Sequence, residues 1–339
     1  MRIGIIHRRA CGVGLVVAAL LLAQANAQAQ NGTWTNTSSG NWGDTNNWLN
    51  GIIADGTNSY AYFSTIDLTT DVTIHLDAPR TIGHLVFADS DTNSPADWSL
   101  DNSGNSSNLL TLAASGAPAS ITLAGLARGK RATISASMDL AYAETDVYVA
   151  PGRSLAINGD VTTSSLASEV KLRMRGPGAC DISGQVFKPT DPGLRKLEVK
   201  AGVVNFTNAL LYCTVFEGGY FTGSNVYASL KDTVVEINPA GQWWGVFGVG
   251  GSGVLTSVDM HGGSVSVPGN WLEILGWTGQ DGRAIFSLDG NAQLTASCFW
   301  AGEVDRNYGV LLVRDASLTF SDYMQAGGAK GAGVIHQLG

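Results

Sequence analysis

Near the end of the chain one arrangement returns about every 25 residues: apolar strand, glycine, short turn, glycine, apolar strand. One glycine of the pair stands at Gly248, Gly276, Gly302 and Gly327, the other at Gly253, Gly282, Gly309 and Gly333. Even among 43 glycines, two series drifting together at this spacing are hard to produce by chance. Self-similarity at a period of roughly 20–50 residues marks a repeat architecture, in which each unit buries its apolar face only against its neighbours.

Period-two alternation fills most of the rest. Val72, Ile74 and Leu76 face one way while Thr73, His75 and Asp77 face the other. Thr81–Phe87, Leu109–Leu112, Ile121–Leu123, Thr133–Ser135, Val147–Val149, Leu155–Ile157 and Val170–Met174 continue the pattern, with a polar, turn-rich loop expected from Asp89 to Asn108. No long window after residue 30 shows helical periodicity. Only 14% of residues are charged, and small and turn-forming residues replace the Glu, Lys, Leu and Gln that helices favour. The expectation is an all-β chain.

Residues 1–29 read as a secretory signal. Arg2, Arg8 and Arg9 precede the apolar run Gly12–Ala23, and Ala25-Asn26-Ala27 or Ala27-Gln28-Ala29 offers a cleavage site. The apolar run is shorter than the roughly 20 residues needed to span a bilayer, so no membrane-spanning segment is expected. Without this leader, 20 basic residues become 17 against 28 acidic, a formal charge of −11. An acidic chain with no Lys/Arg cluster repels phosphate backbones, so nucleic acid is not an expected partner. Cys180, Cys213 and Cys298 are too few and too far apart for a disulfide framework; they read as small buried hydrophobes, with one disulfide left open.

Residues 30–58 hold Trp34, Trp42 and Trp48 among turn formers. They read as an atypical N-terminal cap over residues 59–339, the alternative being an aromatic platform for sugar rings. Arg175-Gly176-Pro177-Gly178-Ala179-Cys180-Asp181-Ile182-Ser183-Gly184, followed by Leu197–Phe206 with its central Ala201-Gly202, resembles the autotransporter-associated β-strand repeat. The copy departs from that pattern at Cys180 and Asp181 and in the turn after Gly184. Gly32-Thr33-Trp34, Asn47-Trp48, Asp55-Gly56 and Thr81-Ile82-Gly83 look like the start of large exported bacterial proteins carrying such repeats. The resemblance implies a right-handed parallel β-helix on a secreted or surface-displayed protein: a passenger, an adhesin-like unit or an envelope-structural module. A pitch of about 25 residues leaves room for roughly ten to twelve coils. Because the chain stops partway through a repeat at His336–Gly339, it reads as a fragment or as completed by further sequence.

For chemistry, β-helical proteins raise the question of polysaccharide cleavage, which needs carboxylates about 5–9.5 Å apart. The spacing predicts that Asp259, Asp289 and Asp315 each close a strand in successive coils, although Asp is also the ordinary corner residue. The paired aspartates and Gly-His-Gly of pectin hydrolases are missing, His261-Gly262-Gly263 being the nearest approach. No phosphate loop, nucleophile elbow or zinc motif occurs, and His75, His84, His261 and His336 are scattered, so neither cofactor nor metal is expected. The remaining candidates are Trp271, Trp277 and Trp300 near the edges of neighbouring coils, which could stack on glycan rings or pack between coils. The leading expectation is an exported, non-enzymatic repeat protein contacting an extracellular glycan or envelope component; a glycan-binding or polysaccharide-cleaving protein is the alternative.

Overall fold

The computed structural model describes residues 29–338 apart from 128, 192, 220–223, 238–244, 252, 275–280, 303–305 and 329–330. The expected leader, residues 1–29, lies outside them except for residue 29. The described residues form a parallel β-solenoid. Apart from two single turns of 3-10 helix, Thr45–Asn47 and Leu49–Gly51, all regular structure is strand.

Each coil offers up to three short strands, and like strands of successive coils pair in parallel to give three ladders along the solenoid. The first ladder is a sheet of twelve strands, from Gly40–Asn41 through Val72–His75 and onward to Ala332–Leu338. Twelve strands enclose eleven turns, inside the range set by the glycine spacing. The other sheet divides into two ladders. The second runs from Arg80–Ile82 to Ser317–Phe320, the third from Gly32–Thr33 to Met324–Ala326. In two coils the second and third strands fuse, as Ser264–Ile274 and Gln293–Ala301, with a register shift between Val267 and Trp271.

Alternation decides which side chains fill the interior. Val204, Ala228, Val258, Phe286 and Leu311 are register partners on successive first-ladder strands, and all are buried. Across from them the third ladder stacks Phe216, Phe247, Leu272 and Phe299, the first two rings parallel at 4.7 Å. Each such ring withdrawn from water contributes roughly 1.5–3 kcal/mol. At the N-terminal end Trp34, Trp42 and Trp48 pack on one another and on Phe63 at centroid distances of 5.3–5.7 Å. Their indole N–H groups donate to the carbonyls of Asn36, Ala54 and Trp42. All three are buried, which leaves no ring face for a sugar. The ladders already begin among these residues, at Gly32–Thr33 and Gly40–Asn41.

Two local readings need correction. The expected loop Asp89–Asn108 contains a first-ladder strand, Trp98–Asp101, whose Trp98 is buried and donates to the Ala88 carbonyl at 2.8 Å. Four residues between polar turns are too few for alternation to stand out. The glycine series is also offset in the earlier coils. Gly302 and Gly327 follow the register partners Ala301 and Ala326, both with left-handed φ, and Gly309 pairs with Gly333. The corner residue of the earlier coil is Gly250 (φ 108°), whereas Gly248 lies inside the strand Val246–Val249 opposite Glu273. Gly282 is likewise off register, since Gly309 pairs with Ala284, and Gly276 lies outside the described residues.

Candidate functional site

The three aspartates do not share one column. Asp259 sits mid-strand, faces Ser287 in register and accepts a hydrogen bond from its hydroxyl at 2.6 Å. Asp289 is two positions further along, in register with His261, whose ring Nδ1 it contacts. Asp315 belongs to a different column, the corner after the first ladder. Asn208, Asp232, Gly262, Gly290 and Asp315 take left-handed φ there, coil after coil. Its role is the turn. The described histidines are separate as well: His75 meets Asp101 at 2.9 Å, and His84 meets Ser120 at 2.9 Å with burial holding its pKa below the usual value. Among the described residues, no three His, Cys, Asp or Glu side chains are grouped to hold a metal ion. The three cysteines are free and buried, and burial pushes the Cys213 thiol up to about 12.

Trp271 and Trp300 do come together, as diagonal neighbours on the outer face of the third ladder, where Glu273 is the register partner of Trp300. Their rings stack at 5.6 Å with 14° between planes, and Tyr323 follows at 6.0 Å. Stacked along the coils, each tryptophan spends one face on the other. Trp277 lies outside the described residues.

The third ladder also carries a charged lattice. Lys171 bridges Glu144 at 3.2 Å and Glu169 at 3.0 Å; Lys196 reaches Glu169 at 3.1 Å, and Arg173 reaches Glu144 at 2.8 Å. Burial alone would raise Glu169, but hydrogen bonds from Lys171 and Lys196 outweigh it and hold the carboxyl below its ordinary value. One coil further, Glu217 faces Glu198 on one side and Gly248 on the other. Burial first, then the Glu198 charge, pushes it up to about 7. Lys200 is engaged with Glu198 at 3.0 Å.

A concave feature of the described surface lies elsewhere, at the corner where the third ladder passes into the first. A hollow of about 730 Å³ is lined there by Pro177, Val203, Tyr227 and Leu255, together with the small residues of the same corners. A second, of about 350 Å³, is lined by Lys130, Arg153 and Ser154 and meets the first at Pro177 and Val203. Together they make a groove along the solenoid, touching six consecutive coils from Gly129 to Ser257. Six coils at a strand spacing of about 4.8 Å give a length of roughly 24 Å.

Glycine makes the floor. A Cβ on Gly202 would meet the Gly176 carbonyl oxygen at 2.4 Å, in a backbone with φ of 79°. One on Gly178 would meet the Ala150 carbonyl oxygen at 2.4 Å. Coils therefore approach closely, and the corner stays clear of side chains. The walls are basic at the N-terminal end and apolar toward the other, where Tyr227 and Leu255 are substantially exposed. Sequence reasoning missed this groove. Its signals were the glycine corner Gly176-Pro177-Gly178 and the pairs Gly129-Lys130 and Gly152-Arg153, 23 residues apart. Compared with known proteins, the chain matches no protein-family model, no curated protein and no solved structure.

Proposed function

We propose that this chain is an exported, non-enzymatic β-solenoid module that binds an extended extracellular polymer, as a passenger of the autotransporter-associated repeat kind or an adhesin-like or envelope component would. The observation that carries the reading is the groove across six coils, shaped for a long ligand laid parallel to the solenoid. A binding surface of this shape follows from repetition itself, since each coil adds one increment of floor and wall. The makeup of the groove supports binding without turnover there, because two carboxyl groups must flank one glycosidic bond to hydrolyse it and none is among the lining residues. The basic-then-apolar leader supports export.

The test combines location with binding. The full chain expressed in a bacterial host is followed by cell fractionation, with the N-terminus of the mature product sequenced. The purified protein is then titrated with a panel of soluble polysaccharides while new reducing ends and unsaturated uronate absorbance are monitored. Expected are an envelope or extracellular product starting after Ala27 or Ala29, and saturable binding without either chemical signal. Retention in the cytoplasm or turnover of any bound polymer overturns the reading.

A further inference from the structure

We propose that the groove takes an acidic polysaccharide, its carboxylates seated on Lys130 and Arg153 and its ring faces on Pro177, Val203 and Tyr227; this rests on the binding-module reading above. Charge is the first argument. The chain carries 28 acidic residues against 20 basic, yet the two charged residues among the groove's lining are both cations, and the bordering carboxylates Asp181 and Asp259 are already engaged, by Arg131 and by Ser287. Neither Lys130 nor Arg153 has an acidic partner among the described residues. By contrast, Arg131 next door is paired with Asp181 at 3.3 Å. The Arg153 guanidinium donates only to the Gly152 carbonyl at 3.3 Å, and its Nε is buried without a partner. An under-satisfied guanidinium at the mouth of a groove favours a carboxylate, which it binds through parallel N–H donors.

Spacing is the second argument. Lys130 and Arg153 immediately precede Arg131 and Ser154, which are register partners, so the two cations stand one coil apart, about 4.8 Å. That is close to the rise of one hexose unit in an extended chain. Successive uronate residues would meet successive coils, with apolar wall continuing under the neutral ring faces toward Tyr227 and Leu255.

The main chain argues against a peptide strand. Along this corner Gly178 N–H donates to Val149, Ala179 N–H to Arg153 and Val203 N–H to Gly178, at 2.9–3.2 Å. These groups are spent on the neighbouring coils, so the groove offers no sheet edge for a strand to join. Recognition must run through side-chain charge and ring contact.

The test uses the intact chain and polygalacturonate as probe, with its fully methyl-esterified form as the neutral control and polyglutamate as the acidic peptide control. Lys130→Gln/Arg153→Gln is compared with Lys231→Gln, a basic first-ladder residue outside the groove, after matching melting profiles show both fold. Expected is binding of polygalacturonate that the double variant weakens about tenfold or more and Lys231→Gln leaves unchanged, since each lost charge-assisted contact is worth on the order of a kcal/mol. Equal affinity for the esterified polymer, or no change in the double variant, overturns the acidic specificity while leaving a glycan-binding module. Binding of polyglutamate alone overturns the glycan and reassigns the groove to acidic peptides. Failure of every polysaccharide in the wider panel sinks the binding-module reading itself.

Discussion

Replacing Glu217 by glutamine should stabilise the protein increasingly as pH rises from about 4.5 to about 7, and not below that window. Glu217 sits in register between Glu198 and Gly248, so one neighbour repels it and the other offers no side chain. Its pKa stands near 7 in the folded chain against an ordinary 4.5. As pH rises between those values, the unfolded chain releases this proton while the folded chain keeps it, so stability falls across that window and levels off above about 7. The full difference corresponds to roughly 3 kcal/mol against the ionised form. Lys196 and Lys200 lie close enough to lower it and can shift toward the charge, so about 1–3 kcal/mol is the measurable part. Glu217→Gln removes that penalty and keeps the shape. Urea denaturation of the two proteins side by side should show near-equal midpoints at about pH 4.5 and a variant more stable by that amount at about pH 8. A difference independent of pH, or a variant less stable at the higher pH, refutes the account of the Glu198–Glu217–Gly248 column.

Other outcomes can be stated directly. Gly248→Lys should bring the Glu217 pKa down and raise stability near pH 8, because a Cβ there meets only Val246 Cγ1 at 3.5 Å and the Phe216 carbonyl at 3.6 Å among the described residues; NMR titration of the Glu217 carboxyl carbon reads it. Gly202→Ala should cost well over 1 kcal/mol from its close carbonyl contact and left-handed φ, while Gly152→Ala, with nothing within 4 Å, should cost about 1 kcal/mol for the left-handed backbone alone; paired denaturation curves separate them. Trp42→Ala should cost about 3–5 kcal/mol and loosen the first coils, which amide exchange at Phe63 and Phe87 would register. Cys180 and Cys213 should resist a thiol reagent until urea opens the chain, since burial pushes both thiols up; rapid labelling in buffer would count against it.

The architecture was legible because its cause is local. Alternation such as Val72-Thr73-Ile74-His75 and glycine at recurrent corners are properties of a few residues each. Register was less so. Coils of unequal length moved the corner from Gly248 to Gly250, and they placed Trp271, not a residue a fixed count away, against Trp300. The groove was least legible of all. Lys130 and Arg153 become neighbours only once Arg131 and Ser154 pair, and Tyr227 joins them only across three further coils. No sequence window contains that surface.

The ladder arrangement also bears on how such a surface could change over generations. Each coil hydrogen-bonds to the coil before and the coil after, and contributes only two to four residues to the groove. A duplication of one whole coil would lengthen the track by a single increment and leave every other contact intact. Specificity on such a scaffold is edited like beads on a string, one position at a time, with the glycine corners keeping the thread straight.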